Sequence, residues 1–351
     1  MPTISVITPT FNRANVISEA IASVQRQTQT DFEHIIVDDG STDDTPALMD
    51  PWIETDDRID YIRLEENHGH AYAQNRGVEA ASGDFIAILD SDDVYLPQRL
   101  AIASRALRGA SGDIGGVFHP FVDLYDSYSC TRQVPTGELT FDQLAERNVI
   151  AGMSNTLYRQ EVFDEVGGFD TSMASTVDYE FQLRVLQQYA MEGLENVLSV
   201  HRKDVSGIQD TAWRKRQGLI TVLAKHQQSL SDRNVADRLV SIGRACLHLE
   251  KCDEAEECFE LAMDICPKGY RGELARAIGV NYLRYGKKHR ARSHLRTSVR
   301  HDPINAKVFG TWLSAMLPGD GKQSYLALQK CYHWAGLSDR KIPLHASGSL
   351  R

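Results

Sequence analysis

The chain has 351 residues and a formal net charge of −10 at pH 7, a length that accommodates about two domains, each with a core of its own. Residues 1–200 carry a net charge of −21 and residues 201–351 one of +11, so the first half is not expected to bind nucleic acid or another polyanion unless a metal ion intervenes. The six cysteines form no C-x-x-C pair, and neither a basic, apolar leader nor a run of about 18 apolar residues is present, so we expect a soluble, cytoplasmic protein without a zinc site, whose contact with membranes is at most peripheral.

Short apolar runs alternate with helical patterns over the first ninety residues. Four runs have the composition of strands, at 4–7, 32–37, 59–64 and 85–89. Three stretches between them have apolar residues at helical spacing, at 16–27, 46–53 and 71–81. This alternation predicts an α/β fold with a doubly wound, mainly parallel sheet. Ligands of such sheets bind beyond the carboxyl ends of the strands.

Three aspartates follow the fourth apolar run, where a buried strand is expected to meet solvent. The sequence there is Asp90-Ser91-Asp92-Asp93. Two or three carboxylates at such an edge suit a hard divalent cation that takes its remaining ligands from water and substrate phosphates. The alternative is an acidic turn that caps the next helix.

From about residue 211 the pattern changes to continuous helix, with an internal repeat of 36 residues. The repeat pairs Gly243 with Gly279, Leu247 with Leu283, Ala255 with Ala291, Phe259 with Leu295, Ala262 with Ser298 and Pro267 with Pro303. These small, large and proline positions resemble a tetratricopeptide repeat. We therefore expect an all-α second half, with a helical linker at 206–235, tetratricopeptide-like repeats at 236–336 and a tail at 337–351.

Five motifs of the first half stand in the order and spacing of a family-2 glycosyltransferase. They are SVITPTFNR at 5–13, VDDGSTD at 37–43, NHG at 67–69 with NRG at 75–77, GDFIAILDSDD at 83–93, and GGFD at 167–170 followed by DYE at 178–180. The chain thus resembles this family and its GT-A fold over roughly residues 3–205, and we expect a GT-A domain at 1–205. The resemblance implies metal-dependent transfer of one sugar per encounter from a nucleotide-diphosphate sugar, a UDP-sugar by default, with inversion. The implied acceptor is a hydroxyl of a glycan, a glycolipid or a cell-surface polymer precursor.

The resemblance also implies a Mn²⁺ or Mg²⁺ site. Asp92 matches the second acid of the family's D-x-D motif and is the first metal ligand, with Asp93 as the alternate. Asp90 would lie near the ribose or a metal-bound water. His201 is a candidate for a third ligand, since a late histidine fills that role in some GT-A enzymes; the alternative is a surface residue.

Further residues are expected to contact the donor. Asp39, with Asp38 as the neighbouring choice, would accept from the nucleobase, and Pro9, Thr10 and Phe11 would form the wall beside it. Phosphate contact is expected from Arg76, Arg13 or a residue later in the chain. The remaining candidates for donor contact are Asn67, Gly69, His70 and Ser91.

Asp178 is the candidate base, because inversion needs a group that takes the proton of the attacking hydroxyl. It matches the Asp of the family's Glu-Asp motif, although Val177 stands where the family usually has Glu. The alternative is that Asp178 caps the helix that follows. We expect Glu180 and Arg184 to form a local salt bridge.

The basic second half allows several interpretations. Its cationic clusters, such as Lys287 with Lys288, would dock anionic lipid or a polyanionic acceptor, hold a partner peptide, or join two protomers. The alternative is that they form a solvated face without a partner.

For the whole chain, two other functions compete with sugar transfer: a nucleotidyltransferase acting on a sugar phosphate, and a non-catalytic scaffold with a decayed transferase domain. The first rival would need a Gly-rich, basic phosphate loop after the first strand, where this chain has Thr8-Pro9-Thr10-Phe11-Asn12.

Overall fold

The computed structural model describes residues 2–203, 208–301 and 315. The chain divides into two compact units, Met1–Ser206 and Gly207–Arg351. The strands of the first unit are β1 (Ile4–Thr10), β2 (Phe32–Asp38), β3 (Ile59–Arg63), β4 (Phe85–Ile88), β5 (Val94–Tyr95), β6 (Ile114–Phe118), β7 (Phe121–Leu124), β8 (Ser129–Arg132), β9 (Gly137–Leu139), β10 (Thr156–Arg159), β11 (Ala190–Gly193) and β12 (Ser199–Arg202). Its helices are α1 (Ile17–Gln25), α2 (Asp50–Thr55), α3 (His70–Ala80), α4 (Arg99–Gly109), α5 (Phe141–Glu146), α6 (Gln160–Val166) and α7 (Val177–Val185), with a 3₁₀ turn at Pro46–Leu48.

The strands form two sheets. The larger has the order β3-β2-β1-β4-β10-β6-β11-β9, and the smaller has the order β5-β12-β7-β8. Strands β3, β2, β1 and β4 run parallel to one another, whereas β10 is antiparallel to both β4 and β6. The predicted α/β fold is therefore confirmed, with a mixed sheet core and a small second sheet that the sequence did not indicate.

The central strand β1 is buried along its whole length, because helices cover both faces of the sheet. On one face Ile4 and Val6 share a cluster with Val24 of α1 and Leu100 of α4. On the other face Ala73 of α3 packs on β2. The acidic turn after β4 and the loop after β2 consequently emerge on either side of the end of β1, at one edge of the sheet.

The described part of the second unit is entirely helical. Its helices are α8 (Ile208–His226), α9 (Asp232–His248), α10 (Cys252–Ile265), α11 (Arg271–Arg284) and α12 (Lys288–His301). The predicted all-α second half is thus confirmed. The linker, repeat and tail boundaries at 206–235, 236–336 and 337–351 stay predictions, and the tail together with Pro303 lies outside the described residues.

The two consecutive helix pairs of this unit share a contact at equivalent repeat positions. Gly243 of α9 faces the ring of Phe259, and Gly279 of α11 faces Leu295 in the same way.

None of the helices in the described residues combines the length and the apolar content that crossing a bilayer requires.

Candidate active site

The acidic turn after β4 is held in place by hydrogen bonds from its backbone N–H groups. The backbone N–H of Asp93 donates to the carbonyl of Asp90 at 2.9 Å, and the N–H of Asp90 donates to Oγ of Ser154 at 3.0 Å. Ser91 and Asp93 are buried, whereas Asp90 and Asp92 are partly exposed. Asp90 and Asp92 are therefore the two carboxylates that the turn offers to a ligand.

Asp93 and His201 are buried, and their side chains form hydrogen bonds within the protein. Oδ1 of Asp93 accepts the backbone N–H of Arg202 at 3.1 Å, and Nε2 of His201 lies 2.9 Å from Oγ of Ser199 but 4.0 Å from Oδ2 of Asp93. The His201 ring stacks on Phe121, and burial lowers the pKa of His201 to about 4. No group of three or more His, Cys, Asp or Glu side chains among the described residues could hold a metal ion. The metal roles of Asp93 and His201 thus stay predictions.

The pair Asp90 and Asp92 does fit a divalent cation. Oδ1 of Asp90 is buried and accepts no hydrogen bond within the described chain, with Nε2 of His70 at 3.4 Å. Burial, followed by the charge of Asp90, raises the pKa of Asp92. Two crowded carboxylates with an unsatisfied oxygen are the ligand set that Mg²⁺ or Mn²⁺ completes with water and substrate phosphate.

His70 is brought to the acidic turn by the start of α3. The helix begins at His70, and Gly69 before it has a φ of 95°, which glycine adopts without strain. Both His70 and Asn67 are exposed. The structure therefore brings His70 together with Asp90, and Asn67 and Gly69 lie in the loop before it.

The two aspartates after β2 are satisfied by the protein itself. Asp38 accepts the N–H of Ser41 at 2.8 Å and the hydroxyl of Tyr61 at 2.6 Å. Asp39 accepts the backbone N–H groups of His68 and Gly69, each at 2.8 Å. Asp38 is 0% and Asp39 2% exposed. The motif identified these residues, but their role in holding the neighbouring loops was missed; their contact with a nucleobase stays a prediction.

The candidate wall residues lie at the end of β1. Pro9 and Thr10 are buried, and Oγ1 of Thr10 has no hydrogen-bond partner in the described chain. Phe11, directly after the strand, is 39% exposed. Arg76 is paired with Glu79 of its own helix, so the structure gives this candidate phosphate ligand a different partner.

A cavity of about 530 Å³ opens beside Asp92. Its lining combines basic and acidic side chains with polar and apolar groups: Arg13, Asn15, Val16, Asp92, Leu124, Tyr125, Asp126, Arg202 and Lys203. Arg202 is paired with Glu19, and Nζ of Lys203 lies 3.4 Å from Asp123. The sequence did not single out Arg202 and Lys203, because it is the pairing of β12 with β7 in the small sheet that brings the end of β12 to this cavity.

Asp178 lies in the first turn of α7. The residue at the N-cap is Thr176, in the left-handed region with a φ of 60°, so the alternative that Asp178 caps this helix is wrong. Burial raises the pKa of Asp178, and the charge of Asp90 acts in the same direction. Arg184 and Glu180 form the expected local salt bridge, at 3.0 Å.

The chain is similar to a family model, to individual protein sequences and to solved structures. Residues 5–167 match the family model described as glycosyl transferase family 2. An uncharacterized glycosyltransferase of Haemophilus influenzae is 29% identical over 189 residues, which are 53% of this chain and 62% of that protein. The GalNAc(5)-diNAcBac-PP-undecaprenol beta-1,3-glucosyltransferase of Campylobacter jejuni is 43% identical over 103 residues, 29% of this chain and 33% of that protein. The chain thus spans less than two thirds of the length of these two relatives.

Two solved structures share the fold. S. aureus TarS 1-349 in complex with UDP-GlcNAc has a TM-score of 0.56 at 18% identity, covering 97% of this chain and 93% of that one. Mannosyltransferase PcManGT from Pyrobaculum calidifontis, in complex with GDP-Man and Mn²⁺, has a TM-score of 0.54 at 19% identity, covering 96% and 88%. A mixed sheet with an acidic turn after β4, followed by helices, defines the class as GT-A proteins with a helical C-terminal half. The motifs and the match of residues 5–167 to the glycosyl transferase family 2 model confirm the predicted family for this part of the chain.

Proposed function

We propose that the chain transfers one sugar per encounter, with inversion, from a nucleotide-diphosphate sugar to an acceptor hydroxyl, with a divalent cation at the acidic turn. The observation that carries the proposal is the pair Asp90 and Asp92, with its unsatisfied buried oxygen, beside a cavity that Arg13 and Lys203 also line. A leaving diphosphate gains negative charge as the glycosidic bond breaks, and such a site favours that charge.

Asp90 and Asp92 would hold Mn²⁺ or Mg²⁺. When bound, the ion supplies Lewis-acid stabilisation of the leaving diphosphate. Asp93 and His201 are buried and would hold the acidic turn in place. A UDP-sugar is the default donor, and proteins of the same fold are described in complex with UDP-GlcNAc and with GDP-Man and Mn²⁺.

Arg13 and Lys203 would orient the diphosphate, since both line the cavity that also contains Asp92. Arginine suits this role because its planar fork matches phosphate oxygens. The nucleoside would lie along the end of β1, against Pro9, Thr10 and Phe11. The polar edges there come from Asp39, Asn67 and the start of α3 at His70.

Asp178 would take the proton of the acceptor hydroxyl as that oxygen attacks the anomeric carbon from the face opposite the diphosphate. A raised pKa makes its carboxylate a stronger proton acceptor than an exposed aspartate. The influence of Asp90 and His70 on that pKa supports the idea that donor and base belong to one site.

The acceptor would be a glycan, a glycolipid or a polymer precursor. The Campylobacter relative is named for transfer to an undecaprenol-linked glycan, which supports a lipid-linked acceptor. The basic second half would then contact the anionic acceptor, the membrane surface or a second protomer.

The test is a panel of nucleotide sugars, assayed with Mn²⁺ or Mg²⁺ and a set of lipid-linked and soluble glycan acceptors. Release of a nucleoside diphosphate with one sugar added is the expected result, and a product of inverted anomeric configuration supports the mechanism. Release of pyrophosphate would instead indicate a nucleotidyltransferase. Binding of no nucleotide sugar by the folded full-length chain would leave the scaffold interpretation.

A further inference from the structure

The loop after α6 is held by side chains from two other helices. This 166–169 loop comprises the last residue of the helix, Val166, and the three residues that follow it. The helix ends at Val166, and the chain turns at Gly167, where φ is 82°. This is the start of the GGFD motif, which the proposed reaction does not use directly.

Arg184 of α7 binds three consecutive carbonyls of this loop. Its Nη1 donates to Val166 at 2.8 Å and to Gly167 at 3.3 Å, and its Nη2 donates to Gly168 at 2.7 Å. The Nε of the same guanidinium donates to the buried Glu180, one turn earlier. Because a guanidinium presents its donors in a rigid plane, these bonds fix α7 relative to the loop.

Asn75 of α3 binds the fourth residue of the loop. The backbone N–H of Phe169 donates to Oδ1 of Asn75, and Nδ2 of Asn75 donates to the carbonyl of Phe169, both at 2.8 Å. A Cβ on Gly168 would lie 2.4 Å from Oδ1 of Asn75. Only glycine therefore leaves room for this approach.

The two helices joined in this way carry opposite ends of the candidate active site. α3 begins at His70, next to Asp90, with 3.4 Å between Nε2 and Oδ1. α7 carries Asp178 in its first turn. The 166–169 loop is thus a hydrogen-bonded bridge between the helix at the acidic turn and the helix of the candidate base.

We propose that Asn75 and Arg184 are positioning residues that fix the spacing of Asp178 from Asp90 by holding the 166–169 loop from both sides. The inference rests on the proposed function, because it takes Asp178 as the base. In an inverting displacement the attacking oxygen is held by the base in line with the leaving group, and a misplacement of about 1 Å can cost a factor of about 100 in rate. Asn75 and Arg184 act through the position of Asp178 and not by touching substrate.

Two variants test the bridge from its two sides. Arg184→Lys keeps the charge but cannot reach three carbonyls at once, and Asn75→Asp keeps Oδ1 but replaces the donor with an oxygen that faces the carbonyl of Phe169. We expect kcat for transfer to fall about 100-fold in each variant, with KM for the nucleotide sugar within about twofold of its original value. Backbone amides of α7 from Glu180 onward, the first of which donates to the carbonyl of Thr176, should exchange faster with deuterium, measured by mass spectrometry on the full chain.

Arg159→Lys is the matched control. Arg159 also binds main-chain carbonyls, with Nε donating to Ile114 at 2.9 Å and Nη2 to Leu107 at 2.8 Å, and neither of these bonds reaches α7. We expect Arg159→Lys to lower Tm about as much as Arg184→Lys does. Sugar transfer and amide exchange in α7 should stay unchanged in Arg159→Lys. Equal losses of kcat in Arg184→Lys and Arg159→Lys, or faster α7 exchange in Arg184→Lys with unchanged kcat, would overturn the proposal.

A separate variant tests the proposed function independently of the 166–169 loop. If Asp178→Asn keeps transfer, the assignment of the base is wrong whatever the two bridge variants do. The exchange measurement needs no activity, so unchanged α7 exchange in both Arg184→Lys and Asn75→Asp overturns the bridge even in an inactive protein.

Discussion

Oδ2 of Asp39 accepts the backbone N–H of Gly69 at 2.8 Å, and Oδ1 of the same carboxylate accepts the N–H of His68 at the same distance. These bonds cross from the loop after β2 to the loop before α3. Because α3 begins at the next residue, His70, Asp39 sets where this helix starts and how His70 approaches the acidic turn. The carboxylate thus organises the candidate site from a position that is almost fully buried.

Asp39→Asn should weaken both the fold and nucleotide binding. One oxygen becomes an NH₂ group that faces a backbone donor, so the buried side chain loses one of its two hydrogen bonds, at a cost of about 1–3 kcal/mol. Urea unfolding measures the stability, and calorimetry with UDP and Mn²⁺ measures the binding. Asp60→Asn, an exposed aspartate on β3, is the control and should change neither. Full stability of Asp39→Asn would show that the two backbone bonds contribute nothing.

Asp92→Asn should remove the response to divalent cations. If Asp90 and Asp92 hold the ion, adding Mn²⁺ with UDP raises Tm of the original chain, since a ligand of the native state stabilises it. The variant has one anionic ligand fewer, so the rise should disappear while Tm without ligand stays the same or increases, because the repulsion between Asp90 and Asp92 is relieved. Asp113→Asn, exposed in a distant loop, should keep the full rise. An unchanged response in Asp92→Asn would remove this residue from the metal site.

Arg13→Ala should raise KM for the nucleotide sugar with little change in kcat. Arg13 lines the cavity beside Asp92, and a hydrogen bond to a charged group contributes about 1.5–3 kcal/mol, which corresponds to a factor of roughly 10 to 100 in affinity. Initial rates over a range of donor concentrations give both constants. Arg26→Ala, an exposed arginine at the end of α1, removes the same charge elsewhere. If both variants raise KM equally, the effect is one of net charge and not of contact.

Local patterns were sufficient to predict β1 to β4 and the helices between them, because apolar spacing determines which face of each element is buried. The small sheet was not predictable, since it pairs Val94 with Val200 and β5 has only two residues. The same limit applied within the site. The bond between Arg184 and Glu180 follows from helical spacing of four, whereas the carbonyls that Arg184 binds in the 166–169 loop depend on tertiary packing.

Acidification should destabilise the first unit through His34. The side chain is fully buried, its Nε2 lies 2.9 Å from Oγ1 of Thr8, and burial lowers its pKa from 6.5 to about 3. Below about pH 6.5 the unfolded chain binds a proton that the folded chain excludes, so the free energy of unfolding falls as pH falls, by about 2 kcal/mol from this group between pH 7 and pH 5.

His34→Gln keeps a polar group for Thr8 but does not titrate. The nearby charges of Asp56 and Arg58 remain in the variant, so the difference between the two chains isolates the imidazole. Denaturant unfolding at several pH values should give a shallower slope for His34→Gln by about one proton. Parallel slopes would mean that His34 is protonated in the folded state or does not contribute.

Gly243→Ala and Gly279→Ala should destabilise the helical unit to a similar extent, because the two glycines occupy equivalent positions of the 36-residue repeat. An added Cβ would lie 2.5 Å from the ring of Phe259 in the first case and 2.5 Å from Leu295 in the second. Overpacking of this kind costs about 1–3 kcal/mol, more than the gain in helix propensity of about 1 kcal/mol. The control Gly269→Ala adds its Cβ in open space and should change little. Thermal unfolding followed at 222 nm measures all three variants. If the repeat unit is structurally regular, the two interior variants shift Tm together; a loss confined to one of them would mean that the sequence match does not correspond to equivalent packing.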